Sequence, residues 1–168
     1  MEKLDFYDVD KKYIEYLKST ETATRGFTCI PDMEYQGEQK FLCGVVLNVN
    51  KFNYYVPVTS YKKQQSENIL ITFENDKFNK IKGSLRFNYM FPVPNDCISI
   101  RIIKNEADIK RRMFLNAQLQ FCIDHAEHIH NQAQRTYTII TKKLNKNLLT
   151  NSCDFKLLEN ACEKYNNP

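Results

Sequence analysis

The chain has 168 residues and a mass of 19.9 kDa, the size of one ordinary domain, and its 42% hydrophobic and 26% charged residues exclude disordered, collagen-like and coiled-coil classes. With 4 Gly, 5 Pro, no Trp, 11 Phe and 10 Tyr against a mean hydropathy of −0.55, many rings are expected at or near a polar surface. The formal charge of +4 hides a division, because residues 1–38 carry 5 basic and 9 acidic side chains while 39–168 carry 19 and 11; a basic, Tyr-rich body suits nucleic acid and ordinary solubility alike.

In chain order, Asp8 or Asp10 can cap a short helix whose apolar face is Tyr13, Ile14, Tyr16 and Leu17, docked on a sheet. Ser, Thr, Gly26, Pro31 and Gly37 mark residues 19–40 as a long loop. Phe41–Val49 and Phe52–Thr59 read as a β-hairpin turning at Asn50-Lys51, with Pro57 assigning the second strand to an edge or placing the residue at its end. Further strands are expected at Ile69–Phe73, Phe78–Ile81, Leu85–Phe91 and Cys97–Ile103, broken at Asn75-Asp76, Lys82-Gly83 and Pro92–Asn95. After Glu106 the period lengthens, and Leu115, Leu119, Cys122, Ala126 and Ile129 trace one long amphipathic helix. Two shorter helices follow, around Gln134–Leu144 and from a cap at Ser152 or Asp154. Strands first and helices last predict an α+β fold: a single domain, 1–168, with a compact, strongly curved antiparallel sheet or partly open barrel, a short N-terminal helix and C-terminal helices.

Six Cys without a C-x-x-C pair are read as reduced thiols, and neither a leader pattern nor about 18 consecutive apolar residues is present. A soluble, cytoplasmic protein with no membrane partner is therefore expected. Dinucleotide, P-loop, zincin and nucleophile-elbow motifs are all missing, so no cofactor is expected. His125, His128 and His130, with Asp124 and Glu127, form the only histidine cluster. A polar helix face explains it as well as a metal site does, and no metal is assigned to it.

The stretch Pro57-Val-Thr-Ser-Tyr-Lys-Lys63 follows a strand bearing Tyr54 and Tyr55. Hydroxyls donate to phosphate oxygens and lysines neutralise them, so Thr59, Ser60, Lys62 and Lys63 can build an anion site. In a hairpin the start of the first strand lies beside the end of the second, which brings Lys40 toward Thr59, Ser60 and Lys62. A turn followed by solvated edge-strand lysines is the competing reading.

The order Tyr35, Lys40, Gly44-Val-Val-Leu47 and Tyr54-Tyr-Val-Pro-Val-Thr-Ser-Tyr-Lys62, followed by Leu85-Arg-Phe-Asn-Tyr-Met-Phe-Pro-Val-Pro94 and Arg112-Met-Phe-Leu-Asn-Ala-Gln-Leu-Gln-Phe121, resembles the ToxN/AbiQ family of type III toxin–antitoxin endoribonucleases, and the CptN subtype most. The resemblance runs from Asp5 to Tyr165. It departs at Tyr35, one residue farther from the glycine than in ToxN, and at Tyr61, where ToxN has proline. It implies a MazF/Kid-like fold and metal-independent RNA cleavage by 2′-OH attack, leaving 2′,3′-cyclic phosphate and 5′-hydroxyl ends. It also implies roles: Lys40 and Lys62 for charge stabilisation, with one able to shuttle a proton, Ser60 and Thr59 for positioning, and Tyr35 for a hydroxyl or a stacking ring. Tyr61, Lys63, Arg86, Arg111, Arg112, Tyr137, Lys142 and Lys143 would grip RNA. The implied partners are target mRNA and a repeat-derived antitoxin RNA pseudoknot in a closed toxin–RNA assembly, with a role in phage defence; DNA is not expected. A noncatalytic RNA-binding module using the same patch is the alternative.

Overall fold

Asp5–Val9 forms a strand, β1, ahead of the first helix, hidden in the sequence because Asp5, Tyr7 and Asp8 leave only Phe6 and Val9 to mark its buried side. A computed structural model describes residues 2–165. Helix α1, Lys11–Arg25, starts where the Asp10 carboxylate accepts from the Lys12 N–H and ends where Gly26, at φ 81°, donates to the Thr22 carbonyl. It therefore runs through the first part of the expected loop, and its buried stripe is Tyr13, Ile14, Leu17 and Glu21. The helix extends because Glu21, fully buried, accepts from Arg25 at 3.1 Å and from the backbone N–H of Cys29 at 2.6 Å, which converts polar residues into anchors. The rest of that loop folds into a small ribbon, β2 (Glu34–Tyr35) and β3 (Glu38–Gln39), turning on Gln36 and Gly37 at φ 51° and 78°.

The hairpin exists as read: β4, Leu42–Val49, and β5, Phe52–Thr59, pair antiparallel with a bulge between Gly44 and Leu47. The sheet continues through β6 (Asn68–Thr72), β7 (Ile81–Arg86), β8 (Phe91–Pro92) and β9 (Ile98–Ile100). Its order is β6-β7-β5-β4-β1-β9, with β8 also on β5, and every pairing is antiparallel. The sheet is open, with β6 and β9 as edges, so it does not close into a barrel.

Pro57 lies in the interior rather than at an edge. On one side β5 pairs β8 at Tyr54 and Tyr55, then β7 at Val58 and Thr59, and Pro57 falls in the gap between the two partners, where no ladder bond is asked of its nitrogen. The expected strand at Phe78–Ile81 is loop up to Lys80, and Lys82-Gly83 lies inside β7 instead of breaking a strand. Gly83 is required there, since a Cβ would stand 2.6 Å from the Thr59 carbonyl oxygen and φ is 134°. The expected strand Leu85–Phe91 is divided by a 3₁₀ turn at Phe87–Tyr89.

The long helix is two: α2, Ile109–Asp124, and α3, Ala126–Thr141. Between them His125 leaves helical geometry, its Nδ1 2.8 Å from the Phe121 carbonyl and its ring stacked on Phe121 at 4.0 Å. No glycine or proline announces that break. A short α4, Lys146–Thr150, precedes α5, Phe155–Lys164, capped by Asp154. Helix α5 packs on α1 and β8, α3 on β4, and α2 on β6. Tyr13 joins these layers by donating to the Pro92 carbonyl at 2.6 Å. Among the described residues no helix is long and apolar enough to cross a membrane, and all six cysteines are free.

Candidate active site

The β4–β5 pairing sets Leu42 opposite Pro57, and the Val58 N–H donates to the Phe41 carbonyl at 3.2 Å, so the residues just before Leu42 run beside the last residues of β5. Lys40 is held there by its N–H, which donates to the Met33 carbonyl at 2.7 Å and closes the base of the β2–β3 ribbon. The ribbon projects Tyr35, 61% exposed, and the Lys40 ammonium lies 5.4 Å from that ring's centre. From the end of β5 and the segment that follows it come Thr59, Ser60 and Lys62. All five surround one cavity of about 420 Å³.

Its far wall is β7, the loop before it and α2. Thr59 Oγ1 lies 3.1 Å from the Oγ of Ser84, its register partner, which is fully buried. The Tyr61 N–H donates to Thr59 Oγ1 at 3.4 Å, so this hydroxyl has a fixed position before any ligand arrives. Lys82 reaches the cavity while bonded to Asp76 at 2.6 Å, and that hydrogen bond first of all holds the Asp76 carboxyl below its usual range. Gln118 on α2 donates to the Lys82 carbonyl at 2.9 Å. Arg111, Phe114 and Asn79 complete the wall.

Four cations, Lys40, Lys62, Lys82 and Arg111, thus face one carboxylate, Glu38. Lys40, Lys62 and Arg111 have no salt-bridge partner among the described residues. Unneutralised cations around fixed hydroxyls form an anion site suited to a phosphodiester.

The residues expected to grip RNA separate into groups. Arg111 lines the cavity. Tyr61 covers the Arg86 guanidinium at 4.3 Å, with Tyr89 against it at 4.5 Å. Lys63 is exposed beyond Lys62, Arg112 donates to the Lys104 carbonyl at 3.4 Å, and Lys142 and Lys143 are exposed at the end of α3. Tyr137 does not belong to a nucleic-acid surface: it is 7% exposed and its hydroxyl donates to Glu159 at 2.7 Å. Tyr13, Tyr54 and Tyr55 are buried as well, so many of the rings serve the core, with the Tyr13 and Tyr54 hydroxyls bonded inside, to the Pro92 carbonyl and to Glu159. Of the histidines, His130 Nδ1 is 2.8 Å from the Val46 carbonyl and His125 folds back on Phe121; neither lines the cavity.

Sequence reasoning missed Glu38, Asn79, Lys82, Phe114 and Gln118. Only Lys82 carries a signal in the sequence, a cation beside a glycine, and Lys82-Gly83 reads there as a strand break.

Against known families, the sequence profile of the ToxN toxin of type III toxin–antitoxin systems matches residues 5–163. The chain belongs to the ToxN family. It is an endoribonuclease toxin of a type III toxin–antitoxin system, and its relatives carry that activity in their names. The endoribonuclease AbiQ of Lactococcus lactis subsp. lactis is 29% identical over 174 residues, covering 96% of this chain and 89% of AbiQ. The endoribonuclease ToxN of Bacillus thuringiensis subsp. kurstaki is 28% identical over 169 residues, covering 95% of this chain and 83% of that ToxN. Among solved structures, AbiQ, described as a lactococcal anti-phage endoribonuclease, superposes with a TM-score of 0.79 at 27% identity, over 96% of this chain and 97% of its own. A toxin from work on selective toxin inhibition by a non-coding RNA pseudoknot shares the fold, with a TM-score of 0.83 at 24% identity and 98% coverage of both chains.

Proposed function

We propose that this ToxN-family toxin cuts RNA in the Lys40–Lys62 cavity by making the ribose 2′-oxygen attack the adjacent phosphorus. The P–O5′ bond breaks, a 2′,3′-cyclic phosphate forms, and the 5′-oxygen leaves as a hydroxyl carrying a proton. Lys40 and Lys62 stabilise the additional negative charge on the phosphoryl oxygens, and one of them shuttles the proton that leaves the 2′-OH to the departing 5′-oxygen. Thr59 and Ser60 position the scissile phosphate and the 2′-OH, and Tyr35 offers its ring or hydroxyl to the flanking nucleotide. Ser60 is not a covalent nucleophile, since the attacking oxygen belongs to the RNA. Side chains supply all of these roles, and no metal takes part in a step.

The reading rests on one observation: Tyr35, Lys40, Thr59, Ser60 and Lys62 converge on a single cavity rich in unneutralised cations. The antitoxin RNA, a pseudoknot of a repeat transcript, would block the same cavity and link toxin copies into a closed assembly. Exposed Lys63 beside the cavity, Arg112, and Lys142 and Lys143 at the end of α3 would extend its phosphate contacts. The whole chain, 1–168, would act as one domain in the cytoplasm on mRNA, in defence against phage. The test is end-group analysis of RNA cut in EDTA. Cyclic phosphate and 5′-hydroxyl ends are expected; 5′-phosphate ends, or cutting that needs a divalent ion, overturn the mechanism.

A further inference from the structure

Behind the wall of the Lys40–Lys62 cavity, Ser84 on β7 stands opposite Thr59 in the strand register. It is fully buried, and among the described residues its hydroxyl has one partner, Thr59 Oγ1 at 3.1 Å. If Ser84 accepted from Thr59, its own proton would be left buried and unpaired, an arrangement that costs more than the bond returns and that folded proteins avoid. The Ser84 O–H therefore donates, and Thr59 Oγ1 accepts.

A hydroxyl oxygen has two lone pairs and one proton. One lone pair of Thr59 Oγ1 takes the Ser84 proton, and the other takes the Tyr61 N–H at 3.4 Å. What remains is the Thr59 proton. Its one internal acceptor among the described residues is the Ser84 carbonyl at 3.5 Å, well beyond the roughly 2.7–2.8 Å of a good O–H···O bond. Thr59 is half-buried and lines the cavity, so this proton is available to a ligand there. The strand behind it is fixed as well. Gln118, 4% exposed, anchors the Lys82 carbonyl at 2.9 Å, and Gly83 lets the β7 backbone approach Thr59 so closely that a Cβ would stand 2.6 Å from the Thr59 carbonyl oxygen.

We infer that Ser84 is a positioning residue for RNA cleavage: it makes Thr59 an obligate hydrogen-bond donor to a nonbridging oxygen of the scissile phosphate. Phosphate oxygens only accept, so a donor with no free lone pair matches them. The attacking 2′-OH must give its proton to an acceptor, which Thr59 cannot be, and that contact falls to Ser60, exposed at the next position. No proton leaves Thr59 during the reaction; its hydrogen bond strengthens as negative charge grows on the phosphoryl oxygen. The inference deepens the division of roles proposed above and rests on an RNA phosphodiester being the ligand of this cavity.

A binding measurement and a rate cycle test it. Thr59→Val removes the hydroxyl at nearly equal size. It should raise the Kd of the 2′-deoxy counterpart of a cleaved RNA about tenfold, because the phosphate contact does not need the 2′-OH; an unchanged Kd overturns the inference. In single-turnover cleavage at saturating RNA, Ser84→Ala should lower the rate about tenfold and should lower it no further in the Thr59→Val background, because Ser84 acts only through Thr59. Equal losses in both backgrounds would show a merely structural role and no loss in either would show none, and each overturns the inference. Should Ser84→Ala lose its cooperative thermal transition, Ser84→Cys, which keeps a weaker donor at the same place, enters the same cycle with a smaller expected loss. RNA cut to 5′-phosphate ends would sink the 2′-OH mechanism, while the Kd of the 2′-deoxy strand would still decide whether Thr59 donates to phosphate.

Discussion

Strand β5 carries tyrosine near its start and leads into lysine beyond its end, and the two regions treat these residue types in opposite ways. Within the strand, Tyr54 donates to Glu159 at 2.8 Å, Tyr137 donates to the same oxygen at 2.7 Å, and Lys156 bonds Tyr137 at 2.8 Å and Glu159 at 3.1 Å. Burial first, and the Glu159 charge second, pushes the Tyr54 phenol far above its ordinary value. Past Thr59, Tyr35, Lys40 and Lys62 surround open space, and the lysines have no carboxylate partner among the described residues. A polar network that satisfies itself contributes stability; one left unsatisfied is available to a substrate. Identical side chains become scaffold or chemistry according to what the fold places beside them.

Several substitutions test that division. Lys62→Ala, in the open region, should lower kcat for RNA cleavage about 100- to 1,000-fold with an unchanged Tm; a loss below tenfold would mean the cavity works without that charge. Glu159→Ala, in the closed region, strands two buried hydroxyls and should cost about 3 kcal/mol, read as a lowered Tm, while the activity of the folded fraction is retained. A drop in kcat at full folding would merge the two regions. Tyr137→Phe removes one hydroxyl from the network and should cost about 1 kcal/mol, with no change in RNA affinity; weakened RNA binding would return Tyr137 to the nucleic-acid surface.

The smallest effect is electrostatic. Lys82 holds the Asp76 carboxyl below its usual range, so ionised Asp76 favours the folded chain. That contribution is complete above the ordinary aspartate value of about 4 and disappears as the pH falls through the lowered folded value. Chemical denaturation of the wild type and Asp76→Asn should show a small stability gap at pH 7 that closes in acid. A gap that widens on acidification would remove Lys82 as its cause.

Much of the framework was legible along the chain. The β4–β5 hairpin announced itself by an apolar, β-branched run on either side of Asn50, and a hairpin's ends are adjacent by geometry, which brings Lys40 to Thr59, Ser60 and Lys62 from the sequence alone. The Asp10 and Asp154 caps were equally local, since a cap needs only its own next turn. The aromatic surface was misjudged because a tyrosine's sequence neighbours do not say whether Glu159, 105 residues from Tyr54, will bond its hydroxyl.

The same boundary separates the two sources of information throughout. The sequence by itself determined the α+β class, the central hairpin and the residues that line one side of the cavity, because these depend on spacing and short-range chain geometry. Tertiary structure alone decided the cavity's far wall, with Lys82, Gln118 and Phe114. It also decided that Pro57 sits in the gap between two sheet partners. Each of those depends on which distant segments pack against one another, and that is settled by burial across the whole core rather than by any pattern along the chain.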